Sequence, residues 1–269
     1  GAAGTGGFSN RAASIGAYGS PAVEMITAVF MVLFGINFAL FYRVLVGGWR
    51  DALRSEELHW YLALFAGSTL FVSLMILPQY GTFLNALRYG SFQVATIMST
   101  TGYATADFNL WPQAVKALIV VLMFIGSCAG STAGGIKVVR VGILCKLGCR
   151  EVRRTFQPRK VQVVRFEGKG LEENRLTQVS VFFFVYVLLV LVGMFLVSLE
   201  GLYDLETNFT AVLTCISNVG PGLGHVGPVE NFSGYGPFAK VVLSLLMLAG
   251  RLELFPILVL FHPSAWRKG

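Results

Sequence analysis

The sequence predicts an all-α polytopic membrane protein, and three observations carry that expectation. Of its 269 residues 55% are hydrophobic and only 13% charged, with a mean hydropathy of +0.67. A soluble core of that size could not bury so much apolar surface, whereas lipid accepts it. Long apolar runs recur at 22–46, 58–77, 115–144, 176–199 and 238–261. A third feature is a threefold echo, Thr5-Gly6-Gly7-Phe8, Thr100-Thr101-Gly102-Tyr103 and Asn218-Val219-Gly220-Pro221, each followed by a short polar stretch and another apolar run.

Each of the five runs is long enough to span, since a helix rises about 1.5 Å per residue and the hydrocarbon layer is about 30 Å thick. Five spans are therefore expected, the third long enough to be broken or tilted. Between them, segments 80–98 and 205–216 are apolar but shorter, and they run straight into glycine turns. They read as half-helices that enter the membrane and turn back, because irregular backbone at that depth is tolerable only against protein or water.

A repeated unit of helix, pore loop and helix around a central ion pore follows from the echo. A cation entering such a pore exchanges its water shell for oxygen ligands, and carbonyls presented by glycine turns supply them without side chains crowding the axis. Gly7, Gly102 and Gly220 are the expected turn residues, with Gly6, Thr101 and Val219 beside them. Thr5, Thr100 and Asn218 stand ready to add hydroxyl or amide oxygens. Phe8 and Tyr103 are expected to pack behind their turns, where the third turn has Pro221 instead. The C-terminal end of each half-helix would aim its partial negative charge at the centre.

The second informative stretch is Gly126-Ser127-Cys128-Ala129-Gly130-Ser131-Thr132-Ala133-Gly134-Gly135-Ile136-Lys137, in the middle of the third run. Each glycine weakens a helix by about 1 kcal/mol relative to alanine, so the span should break here into a loop within the membrane, placed to act as a gate. Arg251, in the last run and flanked by Gly250 and Glu253, is expensive at that depth unless paired or hydrated. It is expected either to anchor the gate loop as a barrier to cations, or to pair with Glu253 or snorkel to the interface.

Charge asymmetry sets the topology. Between Lys137 and Lys169 stand ten basic residues against Glu151 and Glu167, which places that loop in the cytoplasm, together with Arg43, Arg50, Arg54, Arg267 and Lys268. Stretches 103–113 and 199–236 carry Asp107, Glu200, Asp204, Glu206 and Glu230 but no Lys or Arg, and fall outside. The net charge of +7 thus sits in short juxtamembrane loops, which argues against a nucleic-acid-binding face and suits contact with anionic lipid.

Other chemistries fit poorly. Cys128, Cys145, Cys149 and Cys215 suggest no disulfide or transition-metal site, since Cys145 and Cys149 lack neighbouring His or carboxylate ligands. Gly130 and Gly135 have the spacing of a phosphate-binding loop, but Ile136 intervenes before Lys137 and no strand precedes. An intramembrane hydrolase would need Ser127, Cys128 or Ser131 beside His225, which the topology puts on the opposite side; His59 and His262 read as interfacial. Two glycosylation-type triplets, at Asn208 and Asn231, receive no role, Asn208 being expected to begin a half-helix.

At these residues the chain resembles the Trk/Ktr/HKT potassium transporter superfamily, closest to the bacterial Trk type. Residues 100–107 are similar to a family filter and 217–222 to its more degenerate last filter, and the resemblance covers nearly the whole chain. It implies potassium uptake across a bacterial inner membrane with a cytoplasmic C-terminus, no bound cofactor, a cytosolic nucleotide-binding regulatory ring docking on the basic loop, contact with membrane lipid, and a homodimer. It implies too that the loop around Gly130 blocks the path and that Arg251 projects towards it. A sodium-dependent Ktr-type transporter remains the alternative, with the hydrolase more distant. Against the family's four repeats, 1–57 resembles the end of the second, 58–145 the third, 146–175 a basic cytoplasmic loop and 176–269 the fourth, leaving the first repeat and half of the second outside this chain.

Overall fold

The structure is a computed structural model that describes residues 1–252 apart from Ala12 and Val161. The Arg251 to Glu253 pair, the end of the run 238–261, His262, Arg267 and Lys268 lie outside the described residues. What is described is helical, with one two-stranded hairpin.

After the turn at residues 1–7, a 3-10 segment Ser14–Tyr18 leads into α1 (Pro21–Phe34), where Pro21 takes the first helical position and loses no needed donor. The run 22–46, expected as one span, is two helices bent by 90°: α1 and α2 (Phe38–Leu45). The break has a local cause. Gly35 ends α1, and the Asn37 side chain accepts from the Ala39 N–H at 2.9 Å, capping α2. A short α3 (Trp49–Leu53) follows.

α4 (Glu56–Tyr80) is a full span of 25 residues, capped by Ser55 and ended by Gly81 at φ 72°. The chain turns there and comes back as α5 (Phe83–Met98), the expected half-helix, capped by the Thr82 hydroxyl. α6 (Gln113–Phe124) stops at Ile125, and α7 (Val138–Phe156) starts at Val138, so the third run is broken where its glycines predict. α7 carries the helix well into the segment 146–175, which also holds an antiparallel hairpin, β1 (Arg165–Phe166) and β2 (Lys169–Gly170). That segment thus combines the end of a helix, a hairpin and irregular chain. α8 (Glu173–Ser198) is the second full span, α9 (Leu205–Ser217) the second half-helix, and α10 (Pro237–Arg251) the last described helix.

Buried apolar contacts hold these elements. The main core joins α4, α5, α6, α8 and α9 through Tyr61, Ile97, Met123, Tyr186 and Ile216. Apolar side chains on the outer faces, such as Ile26, Phe184 and Phe195, stand exposed at 58%, 67% and 64%, as lipid-facing residues of a membrane protein do. Polar contacts fix the helix ends. The Glu200 carboxylate accepts from the Gly236 and Ala239 N–H groups at 2.8 Å each and closes the start of α10. Asn208 does not begin α9, which Asp204 caps; buried one turn in, it donates to Ser198 and the Tyr203 carbonyl and accepts from Tyr235.

Among the described residues, an ion pair with a buried carboxylate ties α5 to α1. Arg88 on α5 donates through Nε and Nη2 to both carboxylate oxygens of Glu24 on α1, each at 2.6 Å, and Glu24 is 2% exposed. Removing the acid leaves a guanidinium facing apolar helix, so Glu24→Ala is expected to cost about 2–3 kcal/mol, seen as a lower midpoint of thermal unfolding in detergent. Gly67 on α4 is the counter-case, because an added methyl there meets nothing within 4 Å. Gly67→Ala should raise the same midpoint, by about 0.5–1 kcal/mol of helix propensity.

Candidate functional site

The three echoed turns share one backbone closure. Thr5 N–H donates to the Ala2 carbonyl and Gly6 N–H to Gly1; Thr100 N–H donates to Ile97 and Thr101 N–H to Thr96; Asn218 N–H donates to Cys215 and Val219 N–H to Thr214, all between 2.9 and 3.3 Å. This pairing, one bond spanning three residues inside another spanning five, stops a helix by driving the next residue into the left-handed region. That residue is Thr5 at φ 47°, Thr100 at φ 53° and Asn218 at φ 57°. Glycine is usual there, and two β-branched residues in its place store strain of about 1–3 kcal/mol each. Sequence reasoning placed the special backbone at the glycines and missed it at these three positions; the signal available was the polar residue two places before each glycine.

Gly7, Gly102 and Gly220 follow with φ of 62°, 84° and 111°. The turns crowd around a shared centre. A methyl built on Gly7 would lie 2.0 Å from the Thr101 carbonyl oxygen, and one on Gly102 would lie 2.4 Å from the Val219 carbonyl oxygen. Oxygens of one turn thus face the bare Cα of the next.

Side chains brace the turns from behind. Tyr103 is 7% exposed and donates to the Phe8 carbonyl, as expected of an aromatic residue behind its turn. Phe8, the corresponding residue of the first turn, is 89% exposed. In the third turn, where Pro221 replaces the aromatic residue, Thr214 donates to the Pro221 carbonyl at 3.1 Å, and Thr210 accepts from Leu223 N–H at 3.0 Å. Ser99 and Thr101 share a 2.7 Å hydrogen bond, and Tyr186 joins Ser217 at 2.6 Å. The hydroxyls of Thr210 and Thr214 were unassigned from sequence, since threonines inside an apolar helix carry no spacing signal of their own.

Residues 125–137 lie directly against the inner side of all three turns. Gly134 N–H donates to the Thr100 hydroxyl at 2.8 Å, Thr5 donates its hydroxyl to the Thr132 carbonyl at 3.0 Å, and a methyl on Gly134 would come within 2.2 Å of the Ser217 carbonyl oxygen. Thr5 and Thr100 therefore spend their hydroxyls on the loop. Asn218 uses its amide on the Met247 carbonyl of α10. Each of the three side chains thus has a hydrogen-bond partner within the protein.

The loop itself is closed by its own backbone. Gly126 N–H donates to Ile136 and Ile136 N–H to Phe124, forming a single parallel bridge, and Val138 N–H reaches the Ser127 carbonyl. Lys137 donates to the Ala133 carbonyl and Ser131 to that of Cys128. The 90° bend between α1 and α2 supplies the other side: Cys128 N–H donates to Gly35, and Phe38 N–H to Gly130, whose Cα abuts the Asn37 amide. Ser127 gives its hydroxyl to the Met98 carbonyl at the end of α5, and Ala129 N–H donates to the buried Glu57 carboxylate at 2.6 Å. Gly135 takes φ 66° at the turn back towards α7.

Arg251 donates to the Thr132 carbonyl at 2.7 Å. It is not buried: its side chain stands at the end of α10, lining a cavity of about 260 Å³ under the loop with Gly130, Thr132, Lys137, Arg140 and Tyr186. Ser127 and His225, the imagined hydrolase pair, are engaged elsewhere, His225 beside the Tyr203 ring with centroids 5.0 Å apart. Among the described residues no three His, Cys, Asp or Glu side chains converge as a metal site would require, and Cys145 and Cys149 face outward unpaired by any disulfide.

Comparison with known proteins gives this architecture a family. Residues 2–268 match the family described as TrkH, cation transport protein. The chain is 37% identical over 270 residues to the Trk system potassium uptake protein TrkH of Salmonella typhimurium, covering 98% of this chain and 54% of that protein. It is 34% identical over 267 residues to TrkI of Halomonas elongata and 31% identical over 270 residues to TrkG of Escherichia coli K12, each again over 98% of this chain and 54% of the relative. The crystal structure of the potassium transporter TrkH from Vibrio parahaemolyticus superposes with a TM-score of 0.90 at 34% identity, covering 99% of this chain and 57% of that one. The chain spans about half the length of the curated relatives it matches. These relatives are transport proteins rather than enzymes, and the chain, a helical membrane protein with the same arrangement, belongs to the TrkH family of cation transport proteins.

Proposed function

We propose that this chain forms part of a potassium uptake path, with the turns 5–8, 100–103 and 218–221 as three sides of its selectivity filter and loop 126–137 as the gate beneath. The observation that carries the reading is the convergence of three identically closed turns, carbonyls against glycines, directly over a glycine-rich loop that hydrogen-bonds the first two and abuts the third. Such turns offer a cation oxygen ligands fixed by the protein rather than by water, and the ends of α5 and α9 add the negative pole of a helix dipole. The names of the relatives, potassium uptake proteins and a potassium transporter, supply the ion.

With Pro221 and Asn218 in one turn and threonines in the others, the sides are unlike, so fewer well-formed ion sites result than in a fourfold-symmetric filter. Arg251 holds the loop by Thr132 and puts a positive charge under the filter, opposing cation passage while the loop stays in place. The basic segment 137–169, turned to the cytoplasm of a bacterial inner membrane, suits docking of a cytosolic nucleotide-binding ring, and the assembly is a homodimer that also contacts membrane lipid through its exposed apolar faces. A sodium-dependent, Ktr-type mode of coupling is the competing assignment within the same fold.

Rubidium or potassium uptake into liposomes by the full-length transporter, with sodium and lithium as competitors, tests the filter: Gly102→Ser should lose the preference for potassium while the protein stays inserted and folded. Preference retained in that variant would rule out the carbonyl filter. Arg251→Ala removes one charge-assisted hydrogen bond from the closed loop, and flux should rise about tenfold or more. Unchanged flux in a well-folded Arg251→Ala protein would end the barrier assignment. Gly134→Ala, whose methyl overlaps the Ser217 carbonyl, should force the loop off the filter and show faster amide exchange across 125–137.

A further inference from the structure

The gate loop is tied to the cytoplasmic surface by a short series of polar contacts that the filter does not involve. It begins at the β1–β2 hairpin, whose tip, Glu167-Gly168, takes φ of 52° and 71°, both left-handed as a tight two-residue hairpin turn requires. Glu167 is thereby aimed at the first turn of α4. One carboxylate oxygen accepts from the Ser55 hydroxyl at 2.7 Å and from the Glu57 N–H at 3.0 Å, so the hairpin caps a membrane-spanning helix from outside its own sequence. The Glu167 N–H returns a bond to Glu56 at 3.2 Å, and Lys146 of α7 joins the same corner by pairing with Glu56 and donating to the Arg165 carbonyl at 2.7 Å.

Glu57 then crosses inward. It is 6% exposed, and its carboxylate takes the Ala129 N–H at 2.6 Å. Ala129 is three residues from Thr132, whose carbonyl receives both Thr5 and Arg251. The hairpin is not a loose flap: Phe166 is 5% exposed and packs with Ile143, Val164 and Leu176 beside Trp60. It is a rigid piece with an apolar root in α7 and α8 and a single acidic tip on α4.

We propose that this hairpin is the cytoplasmic handle of the gate. Glu167 sets the first turn of α4, and Glu57 on that turn is the positioning residue that holds the loop at Ala129; withdrawing the hairpin from α4 frees the loop. The inference rests on reading 126–137 as the gate. It needs no contact between any regulator and the loop, since displacement of the hairpin alone would be transmitted by two carboxylates.

The test compares Glu167→Ala, the milder Ser55→Ala, Glu57→Ala and Glu57→Gln with wild type in the full-length transporter, reading amide exchange of peptides covering 125–137 together with rubidium flux and the potassium over sodium preference. The expected result is several-fold faster exchange and higher flux in Glu167→Ala and Glu57→Ala, a smaller change in Ser55→Ala, near wild-type protection in Glu57→Gln, which keeps an acceptor oxygen, and an unaltered ion preference throughout. Wild-type exchange in Glu167→Ala, or equal loss of protection in Glu57→Ala and Glu57→Gln, would overturn the proposal. Arg251→Ala separates the two levels. If it raises flux while Glu167→Ala changes neither flux nor exchange, the handle is wrong and the gate stands. If exchange follows the expected order but no variant, Arg251→Ala included, alters flux, the loop is tied as described and its reading as the gate is wrong.

Discussion

Backbone that leaves a helix at membrane depth must find every hydrogen bond within protein, and that constraint shapes the centre of this molecule. Residues 125–137 interrupt a span, so their N–H and carbonyl groups have neither a helical ladder nor bulk water. They are taken up by Gly35 and Phe38 at a bend, by Glu57, and by Thr5 and Thr100 in the turns above, while the Ser127 hydroxyl reaches Met98 at the end of a half-helix. Each of those partners is itself at a place where regular structure stops. The interruptions satisfy one another, and the rest of the bundle holds them in register.

This mutual dependence explains the threonines at left-handed positions. A glycine at 5 or 100 would relieve the backbone strain but remove the hydroxyl that meets the loop. The sequence keeps the side chain and accepts the strain, while glycine is reserved for positions 7 and 102, where a Cβ would collide with a neighbouring carbonyl. The third turn differs: Asn218, a residue that tolerates the left-handed region more readily than threonine, bonds to α10 instead of the loop.

Much of this was legible in the sequence. Hydropathy and glycine content located both half-helices, the broken third run and the loop, because those features depend on composition summed over many residues. Individual contacts were not legible. The bend after α1 was hidden because the run 22–46 is uniformly apolar, and only Gly35 and Asn37 mark it. The buried Glu24 with Arg88 and the cap of α4 by Glu167 depend on partners 64 to 112 residues away, which no local pattern encodes.

The bend also fixes a length. α1 has 14 residues, which at about 1.5 Å each makes a strut of about 21 Å between Pro21 and the point where Gly35 and Phe38 grip the loop. One residue added or lost would shift the grip by about 1.5 Å and swing it by about 100° around the helix axis, away from Cys128 and Gly130. α1 is thus a gauge as well as a lipid-facing wall. Its composition is free to drift among apolar residues, but its residue count is bound to the thickness of filter and loop stacked beside it, so lineages should vary its letters far more readily than its length.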